Sequence, residues 1–387
     1  MASRIQLSWW EYQTYFEGID LLIVGGGIVG LNAALSAKLL QPDLNILLID
    51  RGSFLPYGAS TRNAGFACYG SMTELMDDHS RMSREEVFAL VEKRYSGLMK
   101  LRALLGDDQM GYEPLGGYEV FLPSEEENFG ACLAQMEEFN AELRRITGME
   151  NMYSVCDDQV QKFGFSGVRH MILNRGEGQI HSGKAMKVLL QKVRAAGVEV
   201  LTGIGIRKWE TEGAELRVVT DLGFDVKVPK LLIATNAFAK ELLPSLPVVP
   251  GRAQVVITAP IPDLKIKGAF HYDRGYYYFR NVDDRILFGG GRNLDFQAEE
   301  TTEFGVTPLV QNKLEQLLNE VILPGIAYKI EHRWSGIMGL GPVKSAIVKE
   351  VFPNVYCAVR MGGMGVAIGS HIGMEAAEMI VARSSGN

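Results

Sequence analysis

The chain contains little cysteine: only Cys68, Cys132, Cys156 and Cys357 in 387 residues. They are scattered, with no CxxC pair and no metal-knuckle spacing. Neither a disulfide scaffold nor a metal site is therefore expected, and a reduced, cytoplasmic setting is. No apolar run approaches the ~18 residues of a spanning helix, so no membrane span is expected. The start, Met-Ala-Ser-Arg-Ile-Gln-Leu-Ser-Trp-Trp-Glu, lacks the basic, apolar, small-residue order of a secretory signal. Basic excess is missing too. Lys and Arg number 39 against 46 Asp and Glu, a net charge of -7, with no basic cluster for nucleic-acid phosphates to follow. Internal repeats, low-complexity tracts and long linkers are also absent. The composition, 47% hydrophobic and 22% charged, is that of an ordinary globular protein. A length of 387 residues exceeds one compact unit, so two domains are expected.

Glycine, by contrast, is plentiful and is placed with purpose. A strand-length apolar run, Ile19 to Val24, leads directly into Gly25-Gly26-Gly27-Ile28-Val29-Gly30. Apolar residues at helical spacing follow (Ile28, Leu31, Leu35, Leu39) and stop at Gln41-Pro42. A second buried-type strand, Leu44 to Ile49, ends in Asp50. This strand–helix–strand unit meets each requirement of a dinucleotide site. Gly25 allows the tight turn, Gly27 lets the backbone approach a pyrophosphate, and Gly30 lets the helix lie close on the sheet. The helix N-terminus at Ile28 and Val29 turns its partial positive charge toward the phosphates. Asp50, at the end of the second strand, is placed to accept both ribose hydroxyls and to disfavour a 2′-phosphate.

Further along, Ser83 and Glu86 form a capping box for a helix from Arg84 to Leu105, ended by Gly106. Ser124 and Glu127 are expected to cap a second helix ending at Gly148, and Ser182 a third ending at Gly197. Three short strands (Ile204 to Trp209, Glu215 to Thr220, Asp225 to Val228) form a meander that returns to the buried strand Leu231 to Ala234, before Thr235-Asn236. A β-rich stretch from Ala253 to Trp334 contains a helix near Leu309 to Glu320. A strand, a Gly-rich turn and a terminal helix close the chain.

Arg51-Gly52-Ser53 leads into Gly58-Ala59-Ser60-Thr61-Arg62-Asn63-Ala64-Gly65. Alone, this stretch reads equally as a second cofactor segment or as a surface turn. With Ala234-Thr235-Asn236-Ala237 and Gly362-Gly363-Met364-Gly365-Val366 it resembles the D-amino-acid oxidase family of flavoenzymes, in that family's motif order, from about Trp9 to the C-terminus. Ser8-Trp9-Trp10, Tyr277-Tyr278-Phe279-Arg280 and Arg285-Ile286-Leu287-Phe288-Gly289-Gly290-Gly291 look most like its gamma-glutamylputrescine oxidase branch.

The resemblance implies an α/β plus α+β chain: a discontinuous Rossmann-like FAD-binding domain (1–82, 169–245, 334–387) with an inserted mixed β-sheet substrate domain (83–168, 246–333). It places Ser60 and Thr61 near the pyrophosphate, Arg62, Asn63 and Ala64 near the flavin ring, Ile206 against the adenine, and Thr235 and Asn236 near the diphosphate. Backbone N–H groups of the turn Gly362, Gly363, Met364, Gly365 and Val366 suit the negative charge that builds at flavin N1 and O2. Covalent-flavin members use a Cys or His near these motifs. This chain has neither around Arg62 nor in Trp334 to Gly339, so non-covalent FAD is expected.

The implied activity is oxidation of an amine or amino-acid C–N bond by hydride transfer to flavin N5, with oxygen or another acceptor reoxidising the flavin. A flavoprotein without turnover and a NAD-dependent dehydrogenase are the alternatives. Tyr278, Arg280 and Met338 are the candidate substrate-pocket residues. Tyr276 to Phe279 alternates, one face toward core and the other free to wall a pocket and meet a cation. Arg280 suits either a substrate carboxylate or an ion pair with Asp283 or Asp284. Amino-acid-oxidising members carry an Arg where this chain has Met338. A primary or secondary amine is therefore favoured over a plain α-amino acid, its distal group meeting Arg280, with Lys344 and Arg360 as further cations.

Overall fold

The N-terminal unit is present as Leu21–Val24, Ile28–Leu40 and Ile46–Asp50, the three pieces contiguous in sequence. The computed structural model describes residues 5–54 and 57–382, so the ends of the first and last expected segments (1–4 and 383–387) lie outside the described residues. Both strands are buried throughout, as befits a parallel sheet covered on two faces.

That sheet has six strands in the order Ile347–Phe352, Val355–Val359, Leu231–Ile233, Leu21–Val24, Ile46–Asp50 and Glu199–Thr202. All pairs are parallel except the first. One face packs on the helices Ile28–Leu40, Arg84–Leu105, Ser182–Ala195 and Gly365–Ala382. The other packs on the meander Ile206–Glu212, Glu215–Thr220 and Asp225–Val228. The helix Arg84–Leu105 begins on its Ser83/Glu86 capping box and ends at Gly106. It packs on the terminal helix, which Gly97 lets close in. A Cβ at Gly97 would stand 2.3 Å from the Ala367 carbonyl.

The second sheet has eight strands: Ile330–Leu340, Val249–Thr258, Arg285–Gly290, Tyr277–Val282, Ala269–Tyr272, Gly117–Phe121, His170–Asn174 and Tyr153–Val155. Two expected segment boundaries lie at strands of this sheet. The break placed after 333 falls inside the strand Ile330–Leu340, and the break placed after 168 precedes a strand, His170–Asn174, that pairs with Gly117–Phe121. One face of this sheet carries Tyr277, Phe279, Ile286 and Phe288 into a core with the helix Pro308–Leu317. The other carries Val255, Leu287, Tyr278 and Trp334 toward Ala64 and Phe66, and this is the face that meets the first sheet.

Two caps differ from expectation. The second long helix starts at Glu126 after a tight turn, where the Glu125 carboxylate accepts the Leu122 N–H. The third is capped by His181, whose Nδ1 accepts the Lys184 N–H, because the Ser182 hydroxyl is drawn instead to Asn63 Oδ1 at 2.7 Å. Among the described residues no helix is long and apolar enough to cross a membrane.

Candidate active site

Between the two sheets lies a cavity of about 770 Å³. Its first end is built by the Gly-rich turn. Gly25 has φ +111, and a Cβ there would stand 2.7 Å from the Ala234 carbonyl. Only glycine lets this turn pass so close to the neighbouring strand end. Gly30 lies outside the cavity wall and fills a packing role, its α-hydrogen facing the Gly25 carbonyl. Gly25, Gly27, Ile28 and Val29 line the wall, with Asp50 and Arg51 next to them. Asp50 is 9% exposed, and its two oxygens accept the Gly26 and Gly52 N–H groups at 2.7 and 2.8 Å. Burial lifts its carboxyl above the ordinary range, against those two bonds and Arg51.

The second cofactor-like segment also faces the cavity, through Ser60, Arg62, Asn63 and Ala64, whereas Thr61 is off the wall. Ser60 Oγ meets the Ile28 N–H at 2.9 Å. Asn63 fixes its own turn, donating to the Ala59 and Ser60 carbonyls and accepting the Gly65 N–H. Ile206, Thr235 and Asn236 line the wall as well. Thr235 Oγ1 is buried with no partner among the described residues, the kind of orphan that a bound polar group would satisfy. The Gly362, Gly363, Met364, Gly365 and Val366 turn completes the wall and opens the helix Gly365–Ala382. Asn236, at φ +48, holds that turn by accepting the Arg360 and Met361 N–H groups. Replacing Asn236 with Ala leaves both donors unpaired, at about 1–3 kcal/mol. Thermal melts should show a lower Tm and weaker cofactor retention, and an unchanged Tm would deny Asn236 this role.

At the far end the tyrosine strand divides as its alternation implies. Tyr277 and Phe279 are core, while Tyr276 and Tyr278 face the cavity. Burial pushes the Tyr278 hydroxyl up to about 12, so it remains a proton donor at neutral pH. Met338 is on the wall, its sulfur close to Gly363. Arg280 is not. It is 7% exposed, and its guanidinium donates to the main-chain carbonyls of Ala64, Ile180 and Asn281, not to Asp283 or Asp284. It ties the strand Tyr277–Val282 to the backbone at Ala64 and Ile180. Arg360 is similarly committed to the Ser345 and Pro247 carbonyls, and Lys344 to Asp78 at 2.9 Å and Glu74 at 3.8 Å. Burial raises the Glu74 carboxyl, but Lys344, His271, Arg94 and the Ser71 N–H outweigh it and leave it below its ordinary value.

Arg292 is the residue that the sequence reading missed. It lines the cavity just past Gly290 and Gly291, both in the left-handed region (φ +121 and +79). A Cβ at Gly290 would stand 2.0 Å from the Tyr276 carbonyl, so only glycine lets the strand end cross there and bring Arg292 beside Tyr276 and Tyr278. Other cations of the wall have partners: Arg51 with Glu241, Arg62 with the Ser335 carbonyl, Arg81 with Asp77, Arg274 with Asp273. The Arg292 guanidinium stands 4.7 Å from the Phe296 ring and feels Glu299 and Glu300 at longer range, but its side chain has no hydrogen bond or ion pair among the described residues.

A sequence profile described as "FAD dependent oxidoreductase" (DAO) matches residues 20–379. The bifunctional protein ThiO/ThiG of Synechocystis sp. is 22% identical over 353 residues, covering 85% of this chain and 48% of that protein. N-methyl-L-tryptophan oxidase of Yersinia pestis is 26% identical over 237 residues, covering 60% of this chain and 57% of that one. The chain thus spans about half the length of these curated relatives. Among solved structures, glycine oxidase of Geobacillus kaustophilus superposes with a TM-score of 0.73 at 18% identity, covering 94% of each chain. The cofactor is FAD, which removes the NAD-dependent alternative, and the chain belongs to the DAO family of FAD-dependent oxidoreductases.

Proposed function

We propose that the chain oxidises the C–N bond of an amine that carries a carboxylate, giving an imine that hydrolyses. The supporting observation is Arg292, a cavity cation without an acid or carbonyl partner among the described residues. A substrate carboxylate entering this cavity loses water and needs a paired cation, and a guanidinium can grip it through two parallel N–H···O bonds. Met338, standing where the resembled family has Arg, and the Tyr-rich strand favour a carboxylate-free amine. Arg292, a charge brought in from a different strand end, weighs toward a carboxylate. Tyr278 offers an O–H donor on the same wall, Tyr276 an aromatic face, and Met338 an apolar surface. Bound FAD supplies the acceptor for the hydride on the carbon next to nitrogen. Holding that carbon in reach is the work of Arg292 and the two tyrosines. The relatives named glycine oxidase and N-methyl-L-tryptophan oxidase are named for amines of this chemical kind.

The test is anaerobic flavin bleaching with matched pairs, each amine against its carboxylated counterpart. The carboxylated member should reduce the flavin at least about tenfold faster at equal concentration. Faster reduction by the plain amines throughout would overturn the reading.

FAD is expected to be held without a covalent link. The cavity wall does carry Cys68 and His271, but both converge on Glu177, their ligating atoms within 4.8 Å of one another. Acid precipitation should therefore release all the yellow colour, and colour retained in the pellet would contradict this.

A further inference from the structure

We propose that Cys68, Glu177 and His271 form a binding site for one divalent transition-metal ion, with Zn²⁺ the best match to their donor atoms. The fold brings them together from remote positions. The short strands Phe66–Ala67 and Gly178–Gln179 pair antiparallel, Ala67 opposite Gly178, which sets Cys68 beside Glu177. His271, on the strand Ala269–Tyr272, closes the trio with its ring edge-on to Phe66 at 5.1 Å. The three ligating atoms lie within 4.8 Å of one another and all three residues are buried.

A further observation points to a ligand. His271 is 7% exposed, yet its Nε2 has no partner among the described residues. A buried imidazole nitrogen is rarely left so. The supporting shell is in place. Glu177 Oε1 accepts the Tyr69 and Gly70 N–H groups at 2.8 and 3.0 Å, which fixes the carboxylate.

Zinc–ligand bonds of about 2.0–2.3 Å place tetrahedral ligands roughly 3.3–3.8 Å apart, so the trio needs only small side-chain rotations to close. Thiolate and imidazole donors select zinc over magnesium or calcium, which take oxygen ligands. One thiolate and one carboxylate neutralise the ion's two charges. On binding, the Cys68 S–H bond breaks, the sulfur–metal bond forms, and the proton passes to water in the cavity. No electrons are exchanged. Cys68 and His271 also line the large cavity, so the fourth coordination position opens toward it, as in three-ligand zinc sites.

The experiment uses the FAD-loaded protein, stripped with a chelator and titrated with Zn²⁺ against a chromophoric zinc indicator. One equivalent should bind with a Kd below about 1 μM. Cys68→Ala and His271→Phe should each weaken binding at least about 100-fold, and Cys132→Ala should not. The flavin spectrum and melting temperature report whether each variant is folded. Should a variant fail to fold, zinc K-edge absorption on the wild type decides: one sulfur among the scatterers supports the site, and nitrogen and oxygen alone overturn it. Absence of bound zinc at tenfold excess, or unchanged binding in both folded variants, would equally overturn it.

Discussion

Arg292→Met is expected to weaken binding of a carboxylate-bearing substrate about 100-fold, leaving the matched carboxylate-free amine within about threefold. Methionine keeps the apolar stem that packs against Phe296 and removes only the charge and its donors. Truncating one partner of a desolvated charge pair costs about 2–5 kcal/mol, or roughly 30- to several thousand-fold. Arg292 is half-buried, so the lower part of that range applies. Arg292→Lys keeps the charge but loses the planar fork and should fall between, near tenfold. Anaerobic stopped-flow reduction across substrate concentrations separates binding from the chemical step for both members of each pair. An equal loss for both would make Arg292 a packing residue and leave the carboxylate without an anchor. Arg280 is no substitute. Burial lowers its pKa to about 10, and three carbonyls already occupy its donors.

The contrast between Arg280 and Arg292 shows what a sequence can convey about such a site. Alternation correctly puts Tyr278 and Arg280 on one face of their strand. It cannot say that the strand's far part lies over Ala64 and Ile180, so that Arg280 meets carbonyls while Tyr278 meets the cavity. The position of Arg292 depends on two left-handed glycines crossing Tyr276, a fact of strand register that no local pattern encodes. The nucleotide-type unit was legible because its strand, turn, helix and acid are contiguous from residue 21 to 50. The Arg84–Leu105 helix was legible for the same reason, its capping box and terminal glycine being neighbours of the residues they cap. Ser182 misled because its hydroxyl is engaged by Asn63, more than a hundred residues earlier. Cys68, Glu177 and His271 have no spacing to recognise at all, since strand pairing sets Cys68 beside Glu177 and packing against Phe66 brings in His271.

Asp50→Ala is expected to weaken FAD binding on the order of 100-fold, through two losses that add. The carboxylate faces the cavity where the adenosine ribose is expected, and it also holds the Gly26 and Gly52 N–H groups on either side of it. Removing it takes away charge-assisted bonds worth about 1.5–3 kcal/mol each and leaves two backbone donors unpaired. Asp50→Asn keeps one carbonyl oxygen but turns an NH₂ group toward an N–H, so a loss near tenfold is expected. The pH dependence separates the ribose role from the scaffold role. Burial raises the Asp50 pKa in the FAD-free protein, so ionised Asp50 destabilises that state. Its contribution to stability is full below the unfolded pKa and is lost as pH rises through the folded one. Ribose binding has the opposite sign, because the hydroxyls need the ionised carboxylate. FAD affinity should therefore fall as pH drops through the raised pKa, in a window beginning above the ordinary aspartate value. Fluorescence titration of apoprotein with FAD at stepped pH should show this decline in the wild type and a flat profile for Asp50→Asn. Wild-type affinity retained by Asp50→Ala would place the ribose elsewhere on the wall and confine Asp50 to holding the two turns.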